Sequence, residues 1–289
     1  EAYRLAYILK PEFMGNTRTE EKDPKFKVIS DLPWCEQEIN ERLAAYRQLS
    51  DKVEQEWHAL PAQKKETYFQ LVKYPVQAAA QMNNKLLTAQ LARHGKADWA
   101  DSDRAYDSIV SLTKTYNTTK WNRMMDFQPR RLLVFNRVER KALSSGLLEK
   151  PQAVYTWNGA DCVEGASVIC EGLGYEGKAV AVEKKKELTF EFAAWETDSV
   201  EVEVRLLPNH PVEGERLRFT ISLDGSATEA VSYETKGRSE EWKENVLCNQ
   251  AVRRMILPVA RKASHRLIFT ALDEGVVLDQ ICLYMPRIK

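Results

Sequence analysis

The spacing of hydrophobic residues changes near residue 150, from intervals of three and four to intervals of two. Only Gly15, Gly95 and Gly146 of the twelve glycines precede residue 150. Intervals of three and four place apolar side chains on one face of a helix, whereas an interval of two places them on one face of a strand. The 289 residues are enough for two cores, because one core serves roughly 100 to 200 residues. The sequence therefore predicts a helical domain followed by an all-β domain.

The first half of the chain predicts three amphipathic helices with short connections. Pro75 interrupts the second helix, where a missing backbone donor and a clash with the preceding turn predict a kink or a break. Gly95 suits the left-handed end of that helix, and Asp101 or Ser102 is the expected cap of the third. Together these helices favour an up-and-down bundle. The apolar positions are Ile39, Leu43, Tyr46, Leu49, Val53 and Trp57, then Tyr68, Leu71, Val72, Val76, Ala79, Met82, Leu86 and Ala89, then Tyr106, Ile109, Val110, Leu112 and Tyr116.

The second half predicts about eight strands, each with one buried face and one face in water. Turns such as Asp224-Gly225 and Glu274-Gly275 separate the later strands. Because no helical pattern lies between the strands, we expect an antiparallel sandwich of jelly-roll type. The clearest alternations place apolar residues at Leu188, Phe190 and Phe192, at Val200, Val202, Val204 and Leu206, and at Leu217, Phe219, Ile221 and Leu223.

These patterns give the predicted organisation of the chain. A helical bundle occupies 31–128, a connector 129–153 and a β-sandwich 154–289, with residues 1–30 ahead of the bundle. The predicted fold class is therefore a multidomain α and β protein, with a helical bundle followed by an antiparallel, jelly-roll-like β-sandwich.

Charge and motif content exclude several classes of function. The 42 basic and 42 acidic residues cancel, which argues against a nucleic-acid partner. No segment approaches the ~20 apolar residues that span a bilayer, and the four histidines lack metal-ligand spacing. Gly172–Gly177 matches a dinucleotide-binding pattern, but a strand-like segment follows it where that mechanism needs a helix, so we expect a β-turn. We therefore expect no metal site and no cofactor.

The tryptophans of the second half allow two interpretations. Trp157, Trp195 and Trp242 are flat aromatic rings that stack against sugar rings when they lie on a sandwich face. Alternatively they fill the core of the sandwich or cover its ends. Trp195 and Trp242 are the candidate carbohydrate-binding residues of the sequence.

Five segments carry a resemblance to a known family, in one order along essentially the whole chain. They are Leu9–Glu12, Tyr68–Val76, Lys120–Asp126, Trp242–Val246 and Asp273–Asp279. Together they resemble the C-terminal region of glycoside hydrolase family 115, whose members are α-glucuronidases acting on xylan. Arg123 stands where the family often has His, and Pro129–Phe135 departs from the family, so no binding role is carried onto this segment.

The resemblance implies what the chain does and where it acts. The family's catalytic barrel lies upstream, so residues 1–30 would be its lead-in segment, and this chain alone would be inactive as a glucuronidase. A xylan-degrading hydrolase of this type is periplasmic or secreted. The implied partners are the upstream catalytic domain of the same polypeptide and a second copy in a homodimer.

Catalytic residues are not assigned. Glycoside hydrolysis needs two carboxyl groups placed across a sugar, and among 42 acidic residues some pair falls at a suitable distance by chance. Neither half has the strand–helix alternation of a barrel. An enzyme would need a cleft with converging carboxyl groups.

Two functions of different class remain. The first is a structural and assembly module that supports the upstream barrel, with its tryptophans mostly buried and an exposed apolar patch on the bundle. The second is a carbohydrate-binding module for xylan-type polysaccharide, with at least two aromatic rings exposed in one plane.

Overall fold

The computed structural model describes residues 1–18, 22–125, 132–143, 145–165, 168–233, 237 and 239–286. It has two compact units, one of Glu1–Ala6 and Lys10–Lys150 and one of Tyr7–Leu9 and Pro151–Lys289. The predicted fold class is confirmed, because helices are followed by two antiparallel sheets. The predicted limits of four separate segments stay predictions, and their positions 19–21, 126–131 and 144 lie outside the described residues. No helix in the described ranges is long and apolar enough to cross a membrane.

The helices ahead of the sandwich agree with the predicted pattern. They are α1 (Ala2–Ile8), α2 (Glu36–Ala59), α3 (Ala62–Tyr68), α4 (Tyr74–Arg93) and α5 (Trp99–Asn117). The first predicted helix is α2, the second is α3 with α4, and the third is α5. Short 3-10 turns occupy Pro11–Asn16, Pro24–Lys27 and Leu133–Phe135.

The helix ends follow standard capping rules, with one correction. Gly95 has a φ of +69° and its N–H bonds back into the last turn of α4, which confirms the predicted left-handed end. Neither Asp101 nor Ser102 caps α5. The cap is Asp98, whose carboxylate accepts a first-turn N–H at 2.9 Å, because the helix begins a turn earlier than its apolar stripe. Ser102 is buried and donates its hydroxyl to the backbone oxygen of Lys85.

A π-helical segment, Phe69–Lys73, lies between α3 and α4. Pro75 is the second residue of α4 and has no N–H, and the extra residue in the preceding turn leaves room for its ring. The predicted break is therefore present, just ahead of the proline. The wider turn also shifts which side chains face inward: Phe69 is buried, whereas Leu71, expected inside from its spacing, is 67% exposed.

Helix α4 lies at the centre of the bundle, in contact with both α2 and α5. Its buried polar side chains bind the segment that precedes α2. Gln90 accepts a hydrogen bond from the Leu32 N–H at 3.0 Å and donates one to its carbonyl at 2.9 Å. Arg93 and His94 both bind the Asp31 carboxylate, at 2.6 and 2.5 Å.

The described part of the predicted connector also packs along these helices. The Lys85 ammonium, fully buried on α4, donates to the backbone oxygens of Val134 and Asn136. The Arg137 guanidinium binds the carboxylates of Asp103 and Asp107 on α5. Helix α4 and helix α5 thus fix a segment whose regular structure is one short 3-10 turn, Leu133–Phe135.

The second unit is a β-sandwich with one helix. Its elements are β1 (Tyr155–Asn158), β2 (Val168–Glu171), β3 (Lys178–Ala181), β4 (Glu187–Ala193), β5 (Ser199–Leu206), β6 (Arg218–Leu223), β7 (Ser226–Ala227), β8 (Val231–Ser232), α6 (Glu240–Cys248), β9 (Ala251–Pro258), β10 (Ser264–Ala271) and β11 (Val277–Tyr284). The first sheet has the order β2-β3-β11-β5-β9, with β1 also paired to β11, and the second has the order β4-β10-β6-β7, with β8 also paired to β6. Neighbouring strands are antiparallel throughout these pairings.

The predicted alternation holds for the inner faces of both sheets. Val200, Val202, Val204 and Leu206 of β5, and Leu217, Phe219, Ile221 and Leu223 in and before β6, are all almost fully buried. The outer face of β5 corrects the expectation of a wet face, since Glu203 is 3% exposed. Arg205 and Arg254 bind its carboxylate. Burial acts to raise the pKa of Glu203, but the two guanidinium groups outweigh it and hold the pKa below its ordinary value.

Helix α6 corrects the expectation that no helix interrupts the strands. Ser239 caps it by accepting a hydrogen bond from the Trp242 N–H, and Asn249 ends it in the left-handed conformation with a φ of +49°. Serine at the start and asparagine at the end are ordinary helix signals. Nine residues carry too short an apolar repeat to indicate a helix by periodicity alone.

One buried polar pair of the sandwich gives a stability prediction. The Asp224 carboxylate lies 2.8 Å from Nδ1 of His265 and accepts the Arg266 N–H at 3.1 Å. Burial acts to raise the pKa of Asp224, but these hydrogen bonds hold it below its ordinary value. We expect Asp224→Asn to destabilise the sandwich by about 1–3 kcal/mol at neutral pH. Asparagine is suited to the left-handed backbone here, so the change tests the charge.

The pH dependence separates this pair from general effects. A carboxylate with a lowered folded pKa adds stability that is present above its unfolded pKa and lost as pH falls through its folded pKa. The free energies of unfolding of the wild-type and Asp224→Asn proteins should therefore converge in acid. The measurement is urea denaturation, with hydrogen exchange of β10 peptides as the readout. The exposed Asp198→Asn is the control. An equal deficit at every pH would contradict this account.

Candidate functional site

The carboxylates of the sandwich that are withdrawn from solvent serve the fold. Arg218 binds Asp273 with two hydrogen bonds, at 2.8 and 2.9 Å, and thereby lowers the pKa of Asp273. Glu203 and Asp224 have the partners given above, and Asp279 accepts the Tyr175 backbone N–H and the Gln250 side-chain N–H. Among the described residues, no group of three or more His, Cys, Asp and Glu is arranged to hold a metal ion. These four carboxylates stabilise the sandwich and form no exposed cluster.

Trp195 and Trp157 lie in or against the core of the sandwich. Trp195 is 7% exposed, and its indole N–H donates to the backbone oxygen of Ser199 at 2.9 Å. Its ring packs edge to face against the Phe192 ring, with the ring centroids 5.7 Å apart. The Trp157 ring stacks on the Tyr155 ring, with the centroids 5.2 Å apart. A sugar ring could reach Trp195 only if its neighbours moved.

Trp242 lies elsewhere, half-buried on α6. With Pro208, His210, Tyr233 and Asn245 it lines a hollow of about 20 Å³. That volume is close to the minimum that holds one water molecule. The two tryptophans predicted to bind sugar are therefore on different elements, one inside the sandwich and one on a helix, and their binding role stays a prediction.

The Gly172–Gly177 loop joins β2 to β3 as a hairpin, with strands on both sides. Both oxygens of the Asp279 carboxylate accept the Tyr175 N–H, at 3.0 and 3.1 Å, and the Gly174 backbone bonds to the Tyr7 side chain. Burial raises the pKa of Asp279. The loop is thus held from within its own unit, and no helix N-terminus follows it to bind a phosphate.

An open groove of about 690 Å³ lies in the helical unit. One wall comes from the end of α2, α3 and the π segment, and the other from the exposed face and the end of α5. The lining residues are Trp57, Ala62, Lys65, Glu66, Phe69, Lys73, Ser108, Ser111, Leu112, Thr115, Thr118 and Thr119. The helical pattern of the sequence places Trp57 on a core face and predicts no groove here, because the groove depends on the π segment.

Two lysines lie over the indole ring of Trp57. The Lys73 ammonium is 4.5 Å from the ring centroid and the Lys65 ammonium 5.1 Å from it. Lys73 is also paired with the Glu54 carboxylate at 2.8 Å. Lys65 forms no ion pair with any carboxylate in the described part of the chain.

Most of the remaining polar groups of the groove have partners of their own. The Glu66 carboxylate, in the lining, pairs with Lys120 at 3.7 Å. Four hydroxyl groups of the lining give their protons to backbone carbonyls one turn earlier, and they belong to Ser108, Thr115, Thr118 and Thr119. Each of these oxygens therefore offers a ligand only its lone pairs.

The outer edge of the first sheet is a second candidate surface. Strand β2 pairs only with β3 among the described strands. Its neighbouring residues Val168 and Ile169 point to opposite faces and are 64% and 54% exposed, and Leu173 in the loop that follows β2 is also exposed. An edge strand with exposed apolar side chains is an association surface.

Comparison with known proteins identifies the family of this chain. Residues 166–289 match the model of the glycosyl hydrolase family 115 C-terminal domain. The solved structure of a family 115 4-O-methyl-α-glucuronidase, with specificity for decorated arabinogalactans, is 61% identical over 99% of the chain, with a TM-score of 0.96. The chain belongs to the C-terminal region of glycoside hydrolase family 115. It spans 38% of the length of that glucuronidase.

Two other solved structures match less than half of this family 115 chain. A family 35 carbohydrate-binding module from an environmental isolate is 10% identical, with a TM-score of 0.37, and the match covers 46% of this chain and 93% of that one. An exo-β-1,3-galactanase from Phanerochaete chrysosporium is 16% identical, with a TM-score of 0.33, over 45% of this chain and 29% of that one. Likeness at this level supports no argument about sugar binding. No curated protein matches the chain.

Proposed function

We propose that this chain is the C-terminal structural and assembly part of an α-glucuronidase, and that it supports an upstream catalytic domain of the same polypeptide. Its length supports this, because a similar glucuronidase continues well beyond the matched region. The substrate class is a polysaccharide that carries glucuronate, either xylan, as the family resemblance implies, or a decorated arabinogalactan, on which the similar enzyme acts. In this proposal the chain supplies no glucuronidase activity by itself.

Strand β2 is the observation that carries the proposal. The opposite edge of the same sheet is β9, which bears Arg253 and Arg254, and charged side chains protect an edge from pairing. Strand β2 presents two exposed apolar residues, Val168 and Ile169, with Glu171 as its only charge, whereas β9 combines its two arginines with one exposed apolar residue, Ile256. The unprotected edge fits an apolar partner held close by covalent linkage.

The alternative, a carbohydrate-binding module for xylan-type polysaccharide, has weaker support. A sugar platform needs exposed aromatic rings in one plane. Trp195 is 7% exposed, and the hollow beside Trp242 is about 20 Å³. Exposed apolar residues occur in both units, Leu71 and Met124 among them in the helical unit, so the position of apolar surface on one unit does not by itself separate the two functions.

Hydrogen exchange tests the docking role of β2. We expect amides of the Val168–Glu171 peptide to exchange at least about tenfold more slowly in the full-length polypeptide than in this chain, because a docked partner would cover or pair with the edge. Peptides of β9 are the internal comparison and should exchange at the same rate in both. Equal exchange of β2 in the two proteins would sink the proposal.

Charge insertion tests the same surface in the full-length enzyme. We expect the double variant Val168→Asp, Ile169→Asp to speed the hydrogen exchange of the β2 amides and to lower the thermal stability of the enzyme. The reason is that two carboxylates would lose water on docking. Ile256→Asp, at a residue 66% exposed on β9, is the matched control. Sedimentation of this chain tests whether a second copy, rather than the upstream domain, covers β2. A dimer that the β2 variant abolishes would assign the edge to a second copy and would count against the upstream domain.

A further inference from the structure

We propose that the groove between the α2–α3 end and α5 binds a carboxylate-bearing sugar, with the Lys65 ammonium as the partner of the carboxylate. The argument rests on the lining of the groove and does not depend on the docking role of β2. The two are tested by different experiments on different units.

The floor of the groove is an aromatic cluster that the bundle holds in place. The ring centroids of Trp57 and Phe69 are 5.9 Å apart, and those of Phe69 and Tyr116 are 6.0 Å apart. Tyr116 is 1% exposed, and Tyr74, 4.6 Å from it, donates to or accepts from the Thr113 hydroxyl. The floor is therefore pre-formed, which lowers the entropy cost of binding. The volume of the groove falls in the range of roughly 300–1,000 Å³ that is typical of small-molecule sites.

The π segment positions Lys73, one of the two cations of the groove, whereas Lys65 lies on α3. The π segment carries Phe69 and Lys73 in one short turn, so that the ring points inward and the ammonium reaches back to Trp57 and Glu54. Single π turns inside helices occur frequently at functional sites.

Charge balance makes the groove selective for an anion. The Glu54 carboxylate is neutralised by Lys73 and the Glu66 carboxylate by Lys120, at 2.8 and 3.7 Å. Lys65 makes no such pair among the described residues, so one positive charge is left in the lining. A ligand carboxylate that reaches Lys65 would complete the pairing, at a site where the Trp57 face already favours the cation.

The hydroxyl wall makes the groove selective for a polyol. The hydroxyl oxygens of Ser108, Thr115 and Thr118 keep their lone pairs for a ligand, because their protons are bound to the backbone. The Thr119 oxygen already accepts the Trp121 N–H at 3.2 Å. Acceptors of this kind bind ligand hydroxyl donors. A ligand with several hydroxyl groups, an apolar ring face for Trp57 and one carboxylate matches all three features, and a uronic acid has that chemistry.

Titration calorimetry on this chain at low ionic strength tests the proposal. The probes are an oligosaccharide bearing one glucuronate, the neutral oligosaccharide of the same length, and free glucuronate. We expect the acidic oligosaccharide to bind at least about tenfold more tightly than the neutral one, a difference of about 1.4 kcal/mol, and added salt to reduce that preference. Binding of free glucuronate as tightly as the oligosaccharide would support the site and limit its contacts to the uronate.

Two adjacent lysines give a matched pair of variants. Lys65→Met should remove the preference for the acidic sugar, whereas Lys64→Met, at an exposed residue outside the lining, should keep it. Circular dichroism verifies that both variants fold. Equal loss in both variants, equal affinity for the two oligosaccharides, or no binding at millimolar sugar would each overturn the proposal. Protection of Lys65 from acetylation only in the full-length polypeptide, without sugar binding, would assign the groove to a protein segment instead.

Discussion

Gly174→Ala is expected to destabilise the sandwich by roughly 2–5 kcal/mol, from backbone strain and from loss of buried hydrogen bonds. Gly174 has a φ of +89°, in a region that residues with a side chain rarely adopt. A Cβ at this position would lie 2.9 Å from Cγ of Asp279 and 3.0 Å from Cβ of Ala179. Neither neighbour can move freely, because Asp279 is 1% exposed and Ala179 belongs to β3.

The loss spreads beyond the glycine because Asp279 holds several groups. Its carboxylate accepts the Tyr175 N–H and a hydrogen bond from Gln250 at 3.1 Å. If the carboxylate moves, both donors lose a buried acceptor. We therefore expect urea denaturation to shift to lower concentration and hydrogen exchange to rise in peptides of β3 and β11.

A second glycine of the same hairpin is the matched control. Gly172 has a φ of +79°, but a Cβ there would meet no atom within 4 Å. Gly172→Ala should therefore cost only the strain of the left-handed backbone, about 1 kcal/mol or slightly more. Equal losses in the two variants would mean that the contact with Asp279 contributes nothing.

The sequence predicts the sandwich well where local pattern and tertiary packing agree. The alternation of Val200, Val202 and Val204 places these residues in the core, as the structure has them. Glu203 lies on the face that alternation assigns to water, yet it is buried, because Arg205 and Arg254 come from two positions that pairing of β5 with β9 brings together. Sequence spacing alone carries no information about that pairing.

The helical unit shows the same limit at α4. The apolar repeat predicts the helix and its interruption at Pro75, but it does not predict that Asn83, Lys85 and Gln90 are buried. These side chains are polar, and each is bound by a chain segment distant in sequence, such as the Leu32 backbone for Gln90. A polar residue becomes a core residue when a partner arrives, and the partner segments have no periodic signal of their own.

The candidate sites were harder to predict than the fold. The sequence leaves Trp195 open between an exposed sugar platform and a core position, and its 7% exposure agrees with the core position. The sequence does not predict the groove, because Trp57 occupies an ordinary core position in the helical pattern. The signal that was present is Pro75 inside a long apolar repeat, which indicates an irregular turn and hence a place where side chains are re-aimed.

The stability of the helical unit is expected to rise between about pH 7 and pH 9, by about 2 kcal/mol from Lys85 alone. Burial lowers the pKa of Lys85 to about 7, whereas an unfolded lysine titrates near its ordinary value of about 10.4. In this window the unfolded chain binds more protons at Lys85 than the folded chain does, so each rise in pH favours folding. Below about pH 7 both states hold the proton, and the cost of burying the ammonium is present in full.

Lys85→Met tests this account, since methionine keeps much of the length of the side chain and cannot titrate. We expect the variant to lack the alkaline rise, and to lose the hydrogen bonds to the backbone oxygens of Val134 and Asn136 at every pH. Urea denaturation followed at 222 nm reports mainly on the helical unit, where most of the helix lies. The exposed Lys114→Met is the control and should keep the wild-type slope. Parallel pH profiles for wild type and Lys85→Met would show that Lys85 stays protonated in the fold, held as an ammonium by its two carbonyl partners.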